Sequence, residues 1–144
     1  FMGVISLEEI TRFGVSMESK LLYQFDELIK KKSYSNRSEA IRDLIRDFII
    51  ENQLEAENTE TIGTITYVFN HEVREINDKL TNIQHKHYQN IISTMHVHLD
   101  KHNCLEIMVL KGTAKEITKI ADEIISTKGV KHGKLVMTTT GKNL

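Results

Sequence analysis

The sequence predicts an α+β chain in two parts: one strand and two helices (βαα), then a second unit of order βαββαβ. Three observations predict it. Residues 11–17 alternate strictly, and the segments behind them carry apolar residues at helical spacing. Residues 51–60 are acidic and weakly apolar, which marks a helix end and a linker with a boundary near 58. Beyond it, period-2 and helical segments follow in the order strand, helix, strand, strand, helix, strand, the split βαβ order called ferredoxin-like. The expected domains are 11–52 and 61–140.

Composition limits what such a chain can do. It has 144 residues, a formal net charge of -1, one cysteine, seven histidines, and neither proline nor tryptophan. A single thiol builds no internal disulfide framework, so a reducing compartment, the cytoplasm, is expected. Zinc sites needing two or four cysteines are excluded by count. No run of about eighteen apolar residues offers a membrane span. No basic segment leading into an apolar one reads as a secretory signal, and Phe1 ahead of Met2 reads as a processing remnant. Near-neutral charge argues against a broad, non-specific coat on nucleic acid. It leaves room for a DNA reader whose basic residues share one surface.

Residues 2–10 read as an arm, acidic at Glu8 and Glu9. In the strand at 11–17, Phe13, Val15 and Met17 point one way and Arg12, Gly14 and Ser16 the other. So short a strand must pair with something. Leu21, Leu22, Phe25, Leu28 and Ile29 form the stripe of a first helix. Lys30, Lys31 and Lys32 suit its negative C-terminal end. Ser33 to Asn36 is a polar turn, and Asn36 with Glu39 three residues on resembles a capping box. Ile41, Leu44, Ile45, Phe48 and Ile49 trace a second helix.

After the linker a strand is expected at 62–69 (Ile65, Tyr67, Phe69) and a helix at 71–84 (Val73, Ile76, Leu80, Ile83). Strands follow at 91–99 and 104–111. A helix at 113–127 (Ile117, Ile120, Ala121, Ile124, Ile125) stops at Gly129, and a last strand covers 134–139.

About forty residues seldom bury enough apolar area to fold alone. A symmetric dimer answers this: two strands pair antiparallel, bury Phe13, Val15 and Met17 against four helices, and expose Arg12, Gly14 and Ser16. Such a ribbon fits the DNA major groove, with Arg12 on base edges. The second helix's N-terminus, at Asn36, Arg37 and Ser38, could hold a phosphate through its free amides. The alternative is an oligomerisation module and nothing more.

The histidines all follow residue 70, and five of them lie between 85 and 104, where Cys104 closes the stretch. His96 and His98 are two apart in a strand, about 6.6 Å between Cα atoms, so both imidazoles share a face and can converge on one ion. Met95, Val97 and Leu99 are expected to face the core, with Leu105, Ile107 and Val109 from the next strand. Cys104 and Glu106 then fall on the histidine side. The pattern groups His96, His98 and Cys104 and leaves a fourth position open to His85, His87 or His102. Imidazoles with a thiolate suit tetrahedral zinc, or square-planar copper(II) or nickel(II). A site filled by protein ligands favours sensing or structure over catalysis. No oxyanion-hole or nucleophile-elbow pattern accompanies Cys104, so the chain is not expected to be an enzyme.

Taken together, the strand at 11–17, Asn36-Arg37-Ser38-Glu39-Ala40-Ile41-Arg42-Asp43, Gln84-His85, His96-Val97-His98 and Cys104-Leu105-Glu106 resemble the NikR family of nickel-responsive transcriptional regulators, in order and spacing, over about residues 11–140. The resemblance implies a ribbon-helix-helix domain followed by an ACT-type domain, and a homotetramer built as a dimer of dimers. It implies nickel(II), one per subunit, square-planar on His96, His98 and Cys104 of one subunit and His85 of another, with Gln84 and Glu106 orienting the ligands. It puts Arg12, Gly14 and Ser16 on the bases of a palindromic double-stranded operator. Gly14 stands where the family usually has a hydroxyl residue, which removes one contact. The resemblance also implies a cation, potassium or another, between the domains, with carboxylates matching Glu39 and Asp43 and carbonyls matching Ile125, Thr127 and Val130. By themselves, Glu39 and Asp43 read as capping and helix solvation. The rival functions are a metal store or chaperone and a domain that binds an amino acid.

Overall fold

The computed structural model describes residues 9–54, 58–142 and 144. The predicted arm up to residue 8 and the linker residues 55–57 lie outside the described residues. The elements are α1 (Ser19–Lys31), α2 (Arg37–Leu54), β1 (Glu60–Asn70), α3 (Ile76–Lys86), β2 (Ile91–His98), β3 (Asn103–Thr113), α4 (Ala114–Ile125) and β4 (Val130–Thr139). The chain divides into two compact units, one ending at Leu44 and the other starting at Ile45.

In the first unit, Ile29 of α1 and Ala40 of α2 are buried. Asn36 Oδ1 accepts the Glu39 amide at 2.9 Å, the first half of the expected capping box. The second half is displaced by one residue: Glu39 Oε2 accepts the Ser35 amide at 3.2 Å. Residues 11–17, expected as a strand, belong to no strand in the single chain. Phe13 and Val15 are well exposed, as are Leu21, Leu28 and Leu44. A strand is defined by its partner, and among the described residues this segment pairs with none.

The second unit is an antiparallel sheet of order β2-β3-β1-β4 with α3 and α4 on one face, the ferredoxin-like arrangement. β1 alternates buried and half-buried along its length, and Ile65, Tyr67 and Phe69 meet Ile76 and Leu80 of α3 and Ile117, Ile120, Ala121 and Ile124 of α4. Burying each such side chain contributes about 1.5–3 kcal/mol, which makes this face the folding core. α4 begins with a complete capping box at Thr113 and Glu116. Thr113 Oγ1 accepts the Glu116 amide at 3.2 Å, and Glu116 Oε2 accepts the Thr113 amide at 2.9 Å.

Three expectations need correction. α3 starts at Ile76 rather than 71, because Glu75 sits in the left-handed region at φ 65° and the chain turns there. It runs on to Lys86, so His85 lies inside the helix. Gly129 does not cap α4, whose C-cap is Ser126. It turns the chain into β4, which starts four residues earlier than expected. Its φ of +103° and an approach that would put a Cβ 2.4 Å from Ile76 Cδ1 both require glycine.

The third correction concerns the face of the sheet. Cys104, Glu106, Met108 and Leu110 are the buried residues of β3, and the helices cover their side. Leu105, Ile107 and Val109 lie half-buried on the opposite face. With them are Met95, Val97 and Leu99, and Met95 is 59% exposed. β3 is apolar on both sides, so its alternation cannot say which side the helices take. The grouping of His96, His98 and Cys104 survives, because directly opposite residues share a face whichever face it is.

Candidate metal centre

Two rows across the sheet build the site. Strand register sets Tyr67 opposite Glu106 and Glu106 opposite His96, then Phe69 opposite Cys104 and Cys104 opposite His98. β3 is interior and β2 is an edge strand. Cys104 is therefore 1% exposed, while His96 and His98 open to solvent beside it.

One ligand atom from each of His96, His98 and Cys104 lies within 4.8 Å of the other two. Sγ of Cys104 is 3.6 Å from Nδ1 of His98. The two imidazole rings meet edge to face, centroids 4.8 Å apart. Phe69 closes the apolar side, edge to face with His96 at 6.0 Å. Among the described residues this is the one such group of three or more metal-binding side chains.

Glu106 ties the site to the core. Its Oε1 lies 2.9 Å from Nδ1 of His96, and its Oε2 accepts the Tyr67 hydroxyl. With both carboxylate oxygens engaged, the carboxylate orients the His96 ring and leaves Nε2 free as a donor to an ion. Burial, reinforced by the hydrogen bond to Glu106 and its charge, pushes the Tyr67 hydroxyl far above the ordinary range, so it stays a donor. Tyr67 was expected only as a core residue. The signal for its role was present but non-local, in a register joining residues 39 apart. Burial, with the charges of Glu106 and Asp100, raises the Cys104 thiol, which is therefore protonated near neutrality without a metal.

The other expected metal-site residues fall elsewhere. His85 is exposed in the last turn of α3 and outside the cluster of its own chain. Gln84 Oε1 accepts the Thr94 hydroxyl at 3.4 Å. The candidates for the fourth position besides His85 have their own partners. His87 Nε2 is 3.2 Å from Glu123 Oε2, and His102 Nδ1 is 2.8 Å from Glu72 Oε2.

In the first unit Arg12, Gly14 and Ser16 are all exposed, and open space surrounds Gly14. Arg37 pairs with Asp26 through two contacts of 2.7 Å, Nε to Oδ1 and Nη2 to Oδ2. Its guanidinium is therefore engaged with α1 in this chain. Of the carboxylates matched to a cation, Glu39 takes the Ser35 amide and Asp43 Oδ2 accepts the Tyr34 hydroxyl at 2.8 Å. They belong to the first unit, and Ile125, Thr127 and Val130 to the second. Among the described residues, no helix is long and apolar enough to cross a membrane.

Residues 62–138 match the family model described as the NikR C terminal nickel binding domain. Residues 11–51 match that of the ribbon-helix-helix proteins of the copG family. A protein of Caldanaerobacter subterraneus subsp. tengcongensis named "Putative nickel-responsive regulator" is 83% identical over 142 residues, covering 99% of this chain and 92% of its own. Proteins of the same name from Geobacter metallireducens and Pyrococcus horikoshii are 59% and 57% identical over 136 residues, each covering 94% of this chain and 98% and 99% of their own. The family these matches describe is one of nickel-responsive regulators, not enzymes. With both of its domains matched and relatives this similar along nearly its whole length, the chain belongs to the NikR family of nickel-responsive regulators.

Proposed function

We propose that this chain is a cytoplasmic nickel-dependent repressor of nickel uptake that binds a palindromic DNA operator as a homotetramer. The observation that carries the proposal is the convergence of His96, His98 and Cys104 within 4.8 Å. Metal–ligand bonds of roughly 2 Å set neighbouring donors about 3 Å apart and opposite donors about 4 Å apart. The donors stand somewhat wider than that, with Cys104 Sγ 3.6 Å from His98 Nδ1, so an ion would draw them together. Its donors, imidazole nitrogens and a thiolate, are a set that nickel(II) accepts.

The ligands would be His96, His98 and Cys104 of one subunit and His85 of the partner subunit, the square-planar arrangement implied by the family resemblance, one ion per subunit. Bound there, nickel(II) would supply a link between subunits that neither hairpin makes alone. Tyr67 and Glu106 hold His96 in its donor orientation, and Cys104 gives up its proton to become a ligand. Arg12, Gly14 and Ser16 would read base edges from paired strands. The amides at Asn36 and Arg37 would hold a phosphate. Coupling between metal and DNA requires two arrangements of the tetramer that nickel favours unequally.

Operator binding measured with and without nickel tests this proposal. Affinity should rise with nickel, and Arg12→Ala should abolish operator binding while nickel affinity stays unchanged. Equal operator affinity in both conditions would return the chain to a metal-storage role.

A further inference from the structure

The end of α3 that carries His85 is tied to α4 through one residue. Glu123 Oε2 lies 3.2 Å from Nε2 of His87, whose side chain is only 14% exposed, and Glu123 Oε1 accepts Lys86 Nζ at 3.3 Å. The main-chain carbonyl of Glu123 takes the Thr127 hydroxyl at 2.8 Å, so the last turn of α4 is fastened at the same point. His87 is the C-cap of α3, its amide bonded to the Ile83 carbonyl. Helix ends fray unless something holds them, and an exposed ligand on a frayed turn loses binding energy to the ordering of that turn.

We propose that Glu123 is a positioning residue for His85: by gripping Lys86 and His87 it keeps the last turn of α3 helical before metal arrives, so that His85 is presented to the nickel site of the partner subunit. The proposal rests on the reading of His85 as the fourth ligand. It gives His87 a supporting role in place of ligation.

Nickel titration of the full-length protein against a competing chelator tests it, with wild type, Glu123→Ala, Glu123→Gln, His85→Ala and the double variant. Loss of a residue supporting a ligand weakens metal binding by about 10-fold or more. Glu123→Ala is expected to weaken nickel by about 10-fold, and Glu123→Gln, which keeps an acceptor for His87, by less. The nickel absorption spectrum should stay that of the wild type. In the His85→Ala background the same change should alter affinity by less than about twofold, since a contact acting through His85 has nothing left to act on. Amide exchange at His87 and Asn90 should quicken in metal-free Glu123→Ala. Equal weakening in both backgrounds overturns the proposal, because it indicates general destabilisation. So does no weakening in a protein whose nickel affinity His85→Ala impairs. If His85→Ala itself costs nothing, the four-ligand reading fails and the role of Glu123 falls with it.

Discussion

Replacing Tyr67 by Phe removes one oxygen from the core of the second unit and little else. The ring keeps its place beside Phe69, centroids 6.0 Å apart, and stays fully buried. What is lost is the donor to Glu106 Oε2, on a carboxylate only 9% exposed. A hydrogen bond to a charged group contributes about 1.5–3 kcal/mol, and leaving the carboxylate oxygen unsatisfied costs at the upper end of that range. The metal-free protein should lose about 2 kcal/mol in urea unfolding at fixed protein concentration, with its m-value unchanged. A second effect follows at the metal. With one oxygen released, Glu106 no longer has a fixed orientation for Nδ1 of His96, and nickel affinity should fall by about 10-fold to 100-fold. The two readouts separate fold from site. A stability loss with nickel affinity within about twofold of wild type would show that Glu106 does not orient a ligand, and would refute this account of the row from Tyr67 to His96. No change in either would mean that the hydroxyl is not satisfied by Glu106 at all.

The Cys104 thiol is raised by burial, so in the proposed site nickel would have to displace a proton from it. Chelator-competition titrations between pH 6 and 8 should show affinity rising by about tenfold per pH unit, and a flat profile would exclude Cys104 as a thiolate ligand. The same raised pKa favours the neutral thiol in the folded state. The metal-free protein should therefore lose stability as pH rises through the thiol's folded value, with no loss below its unfolded one. Gly129→Ala puts a side chain at φ +103° and 2.4 Å from Ile76 Cδ1, and should cost about 2 kcal/mol or more in urea unfolding. If the proposed tetramer packs through the sheet face that the helices leave open, Ile107→Glu should shift sedimentation from tetramer towards dimer, because it places a charge where apolar side chains would meet a neighbour. An unchanged sedimentation profile would free that face from assembly.

From α1 to β4 the element order was legible from periodicity alone, because side-chain period reports local backbone geometry; the strand expected at 11–17 has no partner among the described residues. Period 2 likewise put His96 and His98 on one face, and pairing with the next strand brought Cys104 to them. Both arguments need only neighbours in sequence. Which face the helices cover was not legible. β3 offers Met108 and Leu110 on one side and Leu105, Ile107 and Val109 on the other, so local hydrophobicity fits either choice. The decision came from β1, whose Ile65, Tyr67 and Phe69 pack with both helices. That core sealed Cys104 and Glu106 beneath the helices and left the outer apolar face bare. The partners of the candidate residues also lie outside their own element: Tyr67 for Glu106, Glu123 for His87, and Asp26 for the guanidinium of Arg37. The sequence by itself determined which residues could be ligands, and only tertiary packing decided what holds each of them, because register and helix docking join residues that no local period relates.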